Sequence, residues 1–190
     1  SCDWSPDDQY LVVAGYEPSN LANEEVQVYN LPVTPGDDLI YIAGYDYATG
    51  TDKEAEVVCW SPDGNYLAIG GKHGGQDNRV AVCEFDVAAS PTITLKDNAY
   101  DNFDRVYTLT WSPNGIYLAV GGLNSGTDDV YIYSFAGDLL TTVTCAPFGS
   151  EVYELKWSPD GNYIVAVGWD GLRNKQCKIY GFDSVAETIN

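Results

Sequence analysis

The side chains that could do chemistry in this chain are one histidine, five cysteines and twenty-eight carboxylates. His73 lies in Lys72-His73-Gly74-Gly75. The sequence supplies no dyad partner for it, no nucleophile elbow and no metal-ligand spacing, so acid–base, covalent and metal-assisted catalysis each lack a second group. The cysteines, Cys2, Cys59, Cys83, Cys145 and Cys177, form no Cys-x-x-Cys pair. When the chain is aligned on its repeats, Cys2 falls where other copies have Val58, Leu109 and Leu155, and Cys177 where they have Val26, Val80 and Val130. Small buried hydrophobes are therefore expected at these positions, not disulfides or metal ligands. An odd number of unpaired thiols leans toward a reducing compartment.

The carboxylates form the stronger pattern, because they gather in loops together with aromatic side chains. The residues singled out are Tyr45, Asp46, Tyr47, Asp97, Tyr100, Asp101, Phe103, Asp104, Asp128, Asp129, Phe148 and Asp170. Aromatic anchors and carboxylates on one face suit a protein or peptide partner, above all a basic one. The stretch Asp97 to Asp104 also has enough oxygen atoms for calcium. It lacks the regular spacing and bend glycine of a calcium loop, so no metal or other cofactor is assigned.

Composition narrows the classes of partner. A formal charge of −19 and a pI near 4.1 repel phosphate backbones and anionic membrane surfaces, which argues against nucleic acid or membrane as the partner. No apolar run approaches the roughly 18 residues a membrane helix needs. The 190 residues amount to a single domain. They begin at Ser1 and include no methionine, which reads as a processed chain or an excerpt.

The elements that must position these loops are written as a repeat. Trp4-Ser5-Pro6-Asp7, Trp60-Ser61-Pro62-Asp63-Gly64, Trp111-Ser112-Pro113-Asn114-Gly115 and Trp157-Ser158-Pro159-Asp160-Gly161 recur at separations of 56, 51 and 46 residues. A period in that range belongs to propellers or arrays. Before each tryptophan runs an apolar strand. After it, Pro and Asp/Asn-Gly make a tight turn into Tyr10-Leu11-Val12-Val13, Tyr66-Leu67-Ala68-Ile69, Tyr117-Leu118-Ala119-Val120 or Tyr163-Ile164-Val165-Ala166. Those strands are expected to end at Gly15, Gly70-Gly71, Gly121-Gly122 and Gly168, where a loop opens. An alternating third strand and a further β-like run complete four strands per repeat. A sheet that is apolar on both faces buries itself by radial stacking, so the expected fold is an all-β propeller of about four four-stranded antiparallel blades. The approximate blades are 1–47, 48–100, 101–149 and 150–190 of one propeller region, the last lacking a clear outer strand unless Val185 to Ile189 supplies it.

This pattern resembles the WD-repeat propeller family along essentially the whole chain, and the Trp-Ser-Pro-Asp-Gly phrase is also similar to that of periplasmic Tol-system propellers. At the position of the WD family's Trp-Asp pair stand Tyr29-Asn30, Cys83-Glu84, Tyr133-Ser134 and Tyr180-Gly181, and the Gly-His pair is absent. The family's hydrogen-bonded side-chain tetrad therefore cannot be assembled. Both resemblances imply binding and not catalysis.

Three arrangements fit four blades: a segment of a longer propeller, a compact four-bladed ring, or half of an eight-bladed ring completed by a second copy. The segment reading places Asp3 and Lys156 far apart. The functional expectation is a non-catalytic interaction scaffold presenting an acidic, aromatic-containing loop rim to a protein or peptide. The alternative is a structural protein that forms homo-oligomers or filaments through open blade faces and strand edges.

Overall fold

Each Trp-Ser-Pro turn is closed by its own serine. In a computed structural model, which describes residues 1–15, 24–32, 34, 36–47, 54–72, 80–88, 90–99, 103–172 and 174–190, Ser61 Oγ donates to Asp63 Oδ1 at 2.5 Å and accepts the Tyr66 amide at 2.9 Å. The same pair of bonds forms at Ser5, Ser112 and Ser158. Gly64, Gly115 and Gly161 take φ of 75°, 71° and 73°, and Asp8 adopts 59° in the first copy, where glycine is missing. The most repeated polar residues of the chain are thus consumed in turn formation.

Four antiparallel blades follow, in three hydrogen-bonded sheets because the last two blades are joined. The first holds β1 (Cys2–Trp4), β2 (Tyr10–Ala14), β3 (Val26–Asn30) and β4 (Ile40–Tyr45), and the second β5 (Glu54–Trp60), β6 (Tyr66–Lys72), β7 (Val80–Asp86) and β8 (Thr92–Ala99). The third holds β9 (Phe103–Trp111), β10 (Tyr117–Asn124), β11 (Val130–Ala136) and β12 (Leu139–Ala146). The fourth holds β13 (Glu151–Trp157), β14 (Tyr163–Trp169), β15 (Lys175–Asp183) and β16 (Thr188–Ile189). The outer position of blade 4 is therefore filled, by a strand of two residues. A bridge between Leu123 and Glu151 ties blade 3 to blade 4. No helix occurs among the described residues, and the fold is an all-β propeller.

The core lies between blades. Alternation along each second strand sends one set of side chains to each neighbour: Leu67 and Ile69 pack with Val12 and Val28 of blade 1, while Ala68 packs with Leu109 and Val120 of blade 3. Ile164 and Ala166 meet Ala119 and Ile132 in the same way. At every internal interface a turn tyrosine from one blade meets a phenylalanine of the next, edge to face, and that phenylalanine packs on the tryptophan of its own blade. These triads are Tyr10 with Trp60 and Phe85, Tyr66 with Trp111 and Phe135, and Tyr117 with Trp157 and Phe182. Edge-to-face pairs of this kind add about 0.5–1.5 kcal/mol beyond their burial. Trp157 Nε1 also donates to the Thr110 carbonyl at 3.1 Å, whereas the indole N–H groups of Trp60 and Trp111 are buried without a partner.

Two expectations change. Gly70-Gly71, Gly121-Gly122 and Gly168 do not open loops but lie inside β6, β10 and β14, opposite a bulge in the neighbouring first strand. Cys2 and Cys177 are exposed instead of buried, since each stands on the outward face of a terminal blade, where the equivalent valines and leucines of internal blades are covered. Asp3 and Lys156 form no ion pair: Asp3 Oδ2 accepts the Trp60 amide at 2.8 Å, and Lys156 Nζ lies 3.3 Å from Glu154. Both nevertheless line one axial cavity of about 480 Å³ and act on the Cys59 thiol between them, because the first strands converge on the axis. His73 lies outside the described residues.

Candidate protein-interaction face

The bulges define a site that the loop pattern does not reveal. In β5 the residue skipped between Ala55 and Val57 is Glu56, in β9 the one between Val106 and Thr108 is Tyr107, and in β13 the one between Val152 and Glu154 is Tyr153. All three stand four residues before their tryptophan. A bulge re-aims the side chain it carries, and here it brings the equivalent residues of blades 2, 3 and 4 to one face, with Tyr107 against Tyr153 and Arg105 reaching both Glu56 and the Tyr107 ring. The partner strand must be glycine for this to happen: a Cβ on Gly71, Gly122 or Gly168 would lie 1.9, 2.0 or 1.8 Å from the carbonyl oxygen of Glu54, Arg105 or Glu151.

Tyr107 and Tyr153 pack with their rings tilted by 34° and centroids 5.3 Å apart, and Tyr153 meets Trp169 edge-on at 5.7 Å. Tyr153 and Trp169 remain 40% and 37% exposed. Carboxylates surround this strip. The Tyr153 hydroxyl donates to Glu151, a bond that, with burial, pushes the phenol up to about 12, since ionisation would set a phenolate against the carboxylate. Burial and the Glu151 charge raise Tyr107 as well. Arg105 lies over the Tyr107 ring at 5.7 Å and is already held across the blade boundary by Glu54, at 3.0 Å, and by Glu56. The arrangement is an aromatic strip in an acidic setting, suited to gripping a cationic or amphipathic segment.

Several residues expected on the rim serve the fold instead. Phe103, Phe148 and Tyr47 are buried, because their side chains fill the spaces between blades. Asp129 is buried at 3% exposure and accepts the amides of Phe148 and Gly149 at 3.0 and 2.8 Å. In blade 1 the equivalent Glu25 accepts the Tyr47 amide at 3.0 Å, so this carboxylate pins the loop from the outer strand to the next blade. Asp97, in β8, accepts the Leu140 amide of the next blade at 2.8 Å. Tyr45 is half-buried against the Cys83 thiol, and burial raises both groups, Cys83 to about 12. Asp170 caps its own turn by accepting the amides of Leu172 and Asn174, together with the Asn174 side chain, and these bonds hold its carboxyl below the usual aspartate range. Asp46 and Asp104 are exposed and Asp128 partly so. Tyr100 and Asp101 lie outside the described residues. Among the described residues no three His, Cys, Asp or Glu side chains cluster as metal ligands.

A family model described as eukaryotic translation initiation factor eIF2A matches residues 46–184, well over half of the chain. The chain belongs to the eIF2A family. A curated relative of this eIF2A-family chain is the B subunit of eukaryotic translation initiation factor 3 from Scheffersomyces stipitis, 23% identical over 147 residues, which cover 72% of this chain and 21% of the relative. The chain thus spans about a fifth of that protein. Solved structures share the fold. Sqt1 from Chaetomium thermophilum superposes with a TM-score of 0.69 at 17% identity, covering 95% of this chain and 43% of that one. The periplasmic gluconolactonase PpgL of Pseudomonas aeruginosa gives 0.63 at 16%, covering 96% and 57%. The family match and these neighbours support a propeller of WD-repeat type.

The signal for the site is present in the repeats. Glu56, Tyr107 and Tyr153 occupy one repeat position, and a glycine recurs across from each. Reading them together requires knowing that the first strand bulges there, which alternation alone does not say.

Proposed function

We propose that this eIF2A-family chain is a non-catalytic scaffold within an assembly for translation initiation, and that its long-loop face binds a basic segment of a protein partner. The observation that carries this reading is the half-exposed Tyr153–Trp169 pair, continued by Tyr107 and bordered by Glu151, Glu54 and Glu56. Aromatic side chains of this size supply interface anchors, and the carboxylates favour encounter with cationic partners. The curated relative is by name one component of a larger factor, which supports a role among protein partners. The −19 formal charge supports a protein surface over a phosphate backbone as the ligand. Five thiols, with Cys59 and Cys83 pushed upward by burial, fit a reducing compartment.

The test is fluorescence anisotropy with a labelled Arg- and Lys-rich peptide. Binding should weaken as salt is raised, and Tyr153→Ala or Trp169→Ala should each weaken it by about ten- to thirty-fold. No binding, or binding that both variants leave unchanged while their circular dichroism stays native, would overturn the reading.

A further inference from the structure

The Trp-Ser-Pro turns and the hairpins from third to outer strands lie at the opposite end of the blades from the long loops, and there the three internal interfaces are filled differently. Between blades 2 and 3 the Tyr66 hydroxyl donates to Asp138 at 3.2 Å, and Lys96 sits between that carboxylate, at 3.3 Å, and Glu84, at 2.8 Å. A cation is thus built into this interface, close enough to Tyr66 to act on its phenol. Between blades 3 and 4 the Tyr117 hydroxyl donates to the Ser184 carbonyl at 3.3 Å, beside a cavity of about 120 Å³. Between blades 1 and 2 the corresponding Tyr10 packs edge-on against Phe85, and its hydroxyl makes no hydrogen bond among the described residues. The cleft beside it measures about 470 Å³. The register shows why no cation fills it: Lys96 is the residue skipped in the outer strand of blade 2, and its counterpart in blade 1 is Ile42.

We propose that this cleft between blades 1 and 2 receives an arginine side chain from a partner protein, which takes the place that Lys96 holds at the next interface. Asp7 and Asp63 line the cleft, and among the described residues no lysine or arginine does. Asp63 Oδ2 is occupied by the Asn65 side chain at 2.9 Å, as Asp160 Oδ2 is by Asn162. The first copy has Gln9 in place of that asparagine, so the Ser5 hydroxyl and the Gln9 amide both go to Asp7 Oδ1, and Oδ2 accepts no hydrogen bond among the described residues. Asp7 Oδ2, the Tyr10 hydroxyl and the Gln9 side-chain oxygen are three separate acceptors, which a planar guanidinium with five donors matches better than a compact ammonium. Phe85 and Val87, the latter 56% exposed, supply apolar wall for the methylene stem. The cleft lies at the other end of the blades from Tyr153 and is independent of binding there.

Amide NMR of the isotope-labelled chain, titrated with the tripeptide acetyl-Gly-Arg-Gly-amide, tests this. Shifts should appear at residues 7–10, 63–65 and 85–87. Asp7→Asn should weaken the binding by about five-fold or more. That variant keeps its turn, because Asn114 already accepts the Ser112 hydroxyl at 2.6 Å and the Ile116 amide at 3.0 Å in the third copy. The lysine tripeptide should bind about three-fold more weakly, and the neutral citrulline tripeptide more weakly still. Tyr153→Ala should leave the shifts at this cleft unchanged, which separates it from the long-loop face. Absence of shifts at these residues would overturn the proposal. So would binding that Asp7→Asn leaves unchanged while the spectrum stays native, or a citrulline or lysine tripeptide that binds as well as the arginine one.

Discussion

The backbone of Gly122 faces the carbonyl oxygen of Arg105 so closely that a Cβ on the glycine would sit 2.0 Å from it. That contact is what allows the first strand to bulge at Tyr107. Because the obstructing atom is backbone, the strand cannot yield by rotating a side chain. Gly122→Ala should therefore cost about 2–3 kcal/mol in chemical denaturation. It should also weaken peptide binding at the Tyr153 strip. Gly137→Ala, placed where nothing lies within 4 Å but where φ is 59°, controls for strain without collision.

Asp129, just before β11, binds two amides of the loop after β12 from a buried position. Replacing it with alanine leaves the Phe148 and Gly149 donors without their charged acceptor, and hydrogen bonds to charged groups are worth about 1.5–3 kcal/mol each. Urea denaturation should show Asp129→Ala less stable than wild type by about 2–4 kcal/mol. Glu25→Ala should cost less, since a single donor bond to that carboxylate is seen at Tyr47.

The turn carboxylates make stability sensitive to acid. Asp160 is held below the ordinary 3.8 by the Ser158 hydroxyl and the Asn162 amide and side chain. Asp63, although burial opposes it, is also lowered by bonds from Ser61 and Asn65. A depressed folded pKa means that the unfolded chain binds protons first, so the stabilisation is complete above about pH 4 and drains away as pH falls below it. Thermal melting between pH 7 and pH 2 should show a plateau and then a decline. Asp63→Asn and Asp160→Asn together should shallow that decline.

Tyr153 should resist ionisation up to about pH 12. The difference between the ultraviolet titrations of wild type and Tyr153→Phe isolates this phenol from the other fourteen tyrosines. Glu151→Gln should move the difference curve downward, because the carboxylate that favours the neutral phenol is gone. An unmoved curve would show that Glu151 does not accept this hydrogen bond in solution.

How much of the fold and of the site is legible in the residues depends on which atoms carry the information. The turns are readable from Ser-Pro-Asp-Gly, because serine, aspartate and glycine act on backbone within five residues of themselves. Strand alternation is readable because each blade is covered on both sides and repeats the same apolar spacing. The rim is less readable. Phe103, Phe148 and Asp129 sit in loop-like text beside charged residues, and only the approach of the next blade shows that they are covered. Cys2 and Cys177 mislead in the opposite direction, since their repeat positions are buried wherever a neighbour exists and these two lack one in the chain.

Contiguous residues suffice to specify the blade: its four strands, its hairpin turn and the tyrosine, tryptophan and phenylalanine that seal it to its neighbours. Those features depend on local backbone preference and on period-two patterning, which a linear string of side chains displays directly. The packing of strand on strand and of blade on blade settles the rest: which residue of each first strand bulges, which carboxylates are spent on distant amides, and which apolar faces are covered. Each of these depends on atoms far apart in the chain meeting at contact distance, from Gly122 and Arg105 within one blade to Asp3 and Trp60 across two, and no local pattern encodes that meeting.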